Sequence, residues 1–117
     1  MPDASLDPSI LNSLRELEKP GENLVGEIVD LFISDVPRRL GRLSTAIATG
    51  DIKVVGEMAH SIKGSCGNIG AIALQSLCQT LETAAKADAA PDAAAQYDRI
   101  EAEFRVVREA LRAYLAT

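Results

Sequence analysis

The sequence predicts an all-α protein, and three observations carry that expectation. Apolar residues recur at spacings of three and four through most of the chain, the period of helices that bury one face. No segment alternates apolar and polar residues with period two over a useful length, so strands lack support. Hydrophobic residues make up 47 % of the 117 positions but aromatics only 3 %, which leaves Leu, Ile, Val and Ala to build the core, a palette that favours helices. The length suits a single domain over residues 1–117, able to bury a core without disulfide or metal staples.

The elements follow in order. Asp7-Pro8 reads as a helix start, with Asp7 as the cap and Pro8 in the first turn, and the stripe Leu11, Leu14, Leu17 gives a short first helix ending near Lys19-Pro20-Gly21. A second stripe, Leu24, Ile28, Phe32, Val36, Leu40, Leu43, Ile47, crosses Pro37 and predicts one long helix kinked there. Gly50 stops it, and Asp51 caps a third helix with the stripe Val55, Met58, Ala59, Ile62, Cys66, Ile69, which Gly70 ends. A fourth helix carries Leu74, Leu77, Cys78, Leu81 and Ala85 and dissolves in the Ala- and Asp-rich segment around Pro91. Asp92 is placed to cap a fifth, with Tyr97, Ile100, Phe104, Val107, Leu111 and Tyr114 as its seam. Four amphipathic helices with short connections pack most simply as an up-and-down four-helix bundle, with the short N-terminal helix laid against one end.

Charge and composition exclude several functions. A net charge of −5 and the absence of a basic patch argue against nucleic acid as a partner. The longest apolar runs, such as Ala71 to Leu74, span four residues, far short of the roughly 20 a membrane helix needs, so no membrane contact is expected. The start, Met1-Pro2-Asp3-Ala4-Ser5, has neither the basic nor the apolar part of a secretory signal, which points to a cytoplasmic setting. Cys66 and Cys78 both fall on apolar stripes and read as reduced core fillers in preference to a disulfide. Two thiols and one histidine cannot supply the ligands of a zinc site, and no metal is expected on the chain.

The third helix carries the chemistry. With about 100° per residue, Lys63, Gly64 and Gly67 fall on the same face as His60, while Val55, Met58, Ile62 and Ile69 cluster opposite, so the chain's only histidine points away from the core. A glycine inside a helix costs about 1 kcal/mol relative to alanine, a residue this chain uses freely, so the two glycines beside His60 call for an offsetting benefit. Trimming side-chain bulk there lets another protein close over the imidazole, and Lys63 supplies charge for an anion held on the ring. A neutral imidazole nitrogen is a nucleophile for an activated phosphoryl group. The competing reading is a solvated surface histidine with no role, which leaves the glycines unexplained.

The stretch His60-Ser61-Ile62-Lys63-Gly64-Ser65-Cys66-Gly67-Asn68-Ile69-Gly70 closely resembles the signature of the histidine-containing phosphotransfer (HPt) domain family. Leu6-Asp7-Pro8, the segment from Leu31 to Pro37, Gly50-Asp51 and the segment from Leu77 to Glu82 look like further family features. The resemblance implies a phosphorelay carrier in two-component signalling: His60 accepts a phosphoryl group from the aspartyl phosphate of a response-regulator receiver domain and passes it to another receiver. It further implies that Lys63 neutralises the phosphoryl oxygens, Gly64 gives the receiver access, and Glu82 on the next helix accepts a hydrogen bond from the imidazole. For Glu82 the alternative is a solvated helix carboxylate. Ser61, Ser65 and Asn68, with apolar surface from the first two helices, are the expected docking rim.

The chain offers no acidic cluster near His60 for Mg²⁺ and no glycine-rich nucleotide loop, so the receiver is expected to bring the metal and the chain to act as a carrier without autonomous kinase activity. The implied partners are receiver domains, with a hybrid histidine kinase as a further one. Two other readings keep the bundle: a helical module that binds receivers without transferring phosphate, and the phospho-accepting domain of a chemotaxis-type histidine kinase.

Overall fold

The computed structural model describes residues 5–117; the start of the chain, on which the expectation about a secretory leader rests, lies outside the described residues. All regular structure among them is helical: α1 (Ser9–Leu17), α2 (Leu24–Thr49), α3 (Ile52–Ile69), α4 (Ile72–Lys86) and α5 (Ala93–Leu115). α3 packs most extensively on α4 and also on α2, α5 lies against both α2 and α4, and α1 rests on α2 and α3.

Local chemistry sets most of the boundaries. Asp7 Oδ1 accepts the Ser9 backbone N–H at 3.0 Å, the capping role expected of it. α2 ends in Gly50 at φ +73°, and Asp51 at once caps α3 by accepting the Val54 N–H at 3.3 Å. α2 is continuous through Pro37, an exposed position at which the missing N–H deprives only one carbonyl of its helical partner. Asp92 precedes α5, but its side chain makes no capping bond, a departure from the expected cap.

The core holds most of the stripes seen in the sequence, with departures: Leu17 of the first stripe is 70 % exposed, and at the start of α2 the buried residues are Val25 and Val29, while the expected Leu24 and Ile28 are only partly buried. Val29, Val36, Leu43, Val55, Ile62, Cys66, Leu74, Cys78, Leu81, Ile100, Val107 and Leu111 are all buried, and Phe32 meets Phe104 at 6.0 Å between ring centroids. Both cysteines are free and buried, as the stripes imply, and burial pushes the Cys78 thiol up to about 12.

Gly70 ties the N-terminal segment to this core. It adopts φ +84°, which ends α3, and its carbonyl accepts the Asp7 N–H at 2.8 Å. The far end of α1 is held by α5, where Arg15 stacks over the Tyr114 ring and Tyr114 Oη donates to Asn12 Oδ1 at 2.6 Å. The Asp7–Gly70 bond thus ties the C-terminal end of α3 to the segment that leads into α1.

Candidate functional site

α3 presents His60 outward because its opposite face is taken up by core packing. Ala59, Ile62 and Cys66 are fully buried, whereas the His60 side chain is 67 % exposed. Gly64 is exposed, and a Cβ built there would meet nothing within 4 Å, so the space beside the imidazole is open. Gly67 is only half-exposed; a Cβ there would lie 3.4 Å from Gln75 Nε2 of α4, so this glycine also adjoins the α3–α4 contact.

Glu82 is the organising group. It lies on α4, one residue beyond buried Leu81, and its side chain is 1 % exposed, so it is no solvated carboxylate. Oε2 meets His60 Nδ1 at 2.9 Å and Lys86 Nζ at 2.9 Å, while Oε1 meets Lys63 Nζ at 2.7 Å. Only the histidine contact has full hydrogen-bond geometry; the two lysine contacts are ion pairs, which leaves Oε1 without a directed hydrogen bond. Lys63 is also held by Gln79 Oε1 at 2.9 Å.

The lysines dominate the electrostatics. Contact with Lys63, then with Lys86, holds the Glu82 carboxyl at about 2, well below its ordinary 4.5; burial opposes them and the His60 bond assists. An ionised carboxylate can only accept, so the proton of a neutral His60 sits on Nδ1 and the lone pair of Nε2 faces solvent. Two cations against one anion leave the cluster with a net positive charge on the Nδ1 side of the ring.

Two surfaces flank the imidazole. Toward α4 lies a concavity of about 580 Å³ lined by Ile52, Gly56, His60, Glu82, Ala85 and Lys86 among others. Gly56 and Ala85 shape it, since a Cβ at Gly56 would sit 3.4 Å from that of Ala85. Toward α2, Arg39 Nη1 donates to Ser65 Oγ at 2.7 Å and to the Ser61 carbonyl at 3.2 Å. Ser65 and exposed Asn68 line a groove there with Ile28 and Leu31, the latter 66 % exposed.

The structure therefore brings His60, Lys63 and Glu82 into one cluster, places Gly64 beside it, and sets Ser61, Ser65 and Asn68 along the α2–α3 side. Sequence reasoning missed Lys86, Gln79 and Gly56. The four-residue spacing from Glu82 to Lys86 is the one available signal, since it places a cation over that carboxylate. Among the described residues no group of three His, Cys, Asp or Glu side chains could hold a metal, and Glu82 is already taken up by cations. Also among them, no helix is long and apolar enough to cross a membrane.

Fold and site together define a class of helical proteins that offer one exposed imidazole whose proton is held by a neighbouring helix. The chain belongs to the Hpt domain family, whose model matches residues 27–115. It is similar to the histidine-containing phosphotransfer protein 2 of Arabidopsis thaliana, at 23 % identity over 103 residues, covering 85 % of this chain and 66 % of that protein's length. It also resembles the crystal structure of histidine-containing phosphotransfer protein B from Pseudomonas aeruginosa, with a TM-score of 0.87 and 33 % identity over 94 % of this chain and 93 % of that one.

Proposed function

We propose that this protein is a phosphorelay carrier that takes a phosphoryl group onto His60 Nε2 from the aspartyl phosphate of a receiver domain and hands it to a second receiver. The observation that carries the reading is the Glu82 contact at Nδ1, which fixes one tautomer on an otherwise exposed ring. Family membership supports the general role, and the ring of contacts among α2, α3, α4 and α5 supports an up-and-down bundle as its scaffold. A cytoplasmic setting suits such a carrier.

In the accepting step the Nε2 lone pair attacks phosphorus in line as the bond to the aspartyl oxygen breaks, and that electron pair leaves with the carboxylate. The Nδ1 proton stays in place, so the phosphorylated ring is cationic and its charge is met by Glu82. In the donating step a receiver carboxylate attacks phosphorus and the electron pair returns to Nε2. The net positive field of the Lys63–Glu82–Lys86 cluster offsets charge on the phosphoryl oxygens, and Mg²⁺ comes with the receiver, because this chain's carboxylate is engaged by lysines. Gly64 gives the receiver its approach, and Gly67, Ser61, Ser65 and Asn68 form the rim on which it docks.

Incubation with a phosphorylated receiver tests this. The expected product is an acid-labile, alkali-stable protein phosphate that is absent in His60→Gln. Binding that survives His60→Gln with no phosphate ever transferred would favour a non-transferring interaction module, and labelling only by an ATP-dependent kinase domain would favour a chemotaxis-type acceptor.

A further inference from the structure

The two lysines on Glu82 are not equivalent, and their difference assigns them different work. Lys63 is 22 % exposed and doubly held, by Glu82 Oε1 and by Gln79. Lys86 is 72 % exposed, and its ion-pair contact is to Oε2, the oxygen that His60 Nδ1 already occupies. Lys86 also lines the open concavity beside the imidazole, and Lys63 does not.

Consider what each would leave behind on turning toward an anion on Nε2. If Lys63 left, Oε1 would lose its only partner and stay buried beneath the rim, and Gln79 Oε1 would lose its donor. If Lys86 left, Oε2 would keep the imidazole N–H and Oε1 would keep Lys63, so Glu82 would remain paired at both oxygens. Lys86 and the imidazole share one oxygen, which places the ammonium within two hydrogen-bond lengths of the ring on a flexible, exposed stem.

We infer that Lys86, rather than Lys63, is the cation that contacts the transferred phosphoryl group, and that Lys63 is a positioning residue that holds Glu82, and through it the imidazole, in place. The inference rests on the phosphoryl-carrier reading and deepens it. On phosphorylation Lys86 exchanges a shared carboxylate oxygen for a phosphoryl oxygen, while the Glu82–Lys63–Gln79 frame stays assembled.

The test uses phosphoramidate, a small donor that needs no protein partner: the P–N bond to Nε2 forms as the bond to nitrogen of the donor breaks and ammonia leaves. Initial rates of His60 phosphorylation are followed by ³¹P NMR in the whole chain, with melting temperature and ¹⁵N imidazole shifts recorded for each variant. Lys86→Gln is expected to slow phosphorylation about tenfold, the worth of one charge-assisted hydrogen bond, with melting temperature and tautomer unchanged, and Lys86→Arg to restore most of the rate. Lys63→Gln is expected to mix the imidazole tautomers. Lys53→Gln, on the same concavity but without a contact to Glu82, is expected to behave as the unaltered protein.

A full rate in Lys86→Gln, an equal loss in Lys53→Gln, or a loss in Lys63→Gln with the tautomer intact would overturn the assignment, as would a His60 that phosphoramidate cannot phosphorylate. Phosphorylation by phosphoramidate without any transfer from receivers would instead overturn the carrier reading and leave the lysine comparison decisive.

Discussion

Gly64→Gln separates folding from transfer, because the two should move in opposite directions. The position is an exposed helix interior in which an added Cβ touches nothing within 4 Å, so no steric penalty opposes the change. Glycine is about 1 kcal/mol worse than alanine in a helix and glutamine only a few tenths worse, so the variant should be more stable by about 0.5 kcal/mol. For a domain of this size that corresponds to a melting temperature higher by roughly 2–3 °C. The same side chain fills the open space beside His60 through which a partner must bring its reacting atom, and displacement of that atom by about 1 Å can lower transfer a hundredfold. Thermal unfolding by circular dichroism and rapid-quench transfer from a phosphorylated receiver read the two effects separately. Transfer at the unaltered rate would refute the access argument for Gly64, and a fall in melting temperature would refute the claim that its surroundings are empty.

Three further outcomes follow from the packing and charges. Glu82 has a folded-state value of about 2 against an ordinary 4.5, so its contribution to stability is complete above about pH 4.5 and is lost as pH falls toward 2; Glu82→Gln should remove that part of the slope in acid denaturation, measured by urea titration between pH 5 and 2. Gly70→Ala should destabilise the fold by about 2 kcal/mol or more, because φ is +84° and the new Cβ would overlap the Asp7 carbonyl oxygen; an unchanged urea midpoint would contradict this. Ile62→Asp should abolish cooperative folding by placing a carboxylate at a fully buried site facing away from His60, a loss of about 4 kcal/mol or more, visible as a collapsed amide NMR spectrum.

Much of this molecule is legible in one dimension because helices impose their period on the sequence. Spacing alone is enough to separate Ile62 and Cys66, which are buried, from His60 and Gly64, which are exposed, since rotation about a helix axis is a local property. The stops at Gly50 and Gly70 and the caps at Asp7 and Asp51 are equally local, set by backbone geometry and by side chains a few residues away. What spacing could not reach is the register of α4 against α3. A helix period leaves Glu82 as readily solvated as paired; only the packing of the two helices brings its carboxylate, 22 residues along the chain, to the imidazole at 2.9 Å, and encloses it with Lys63 and Lys86. Burial and charge pairing between helices depend on how two faces slide past one another, and that is decided by the whole core at once.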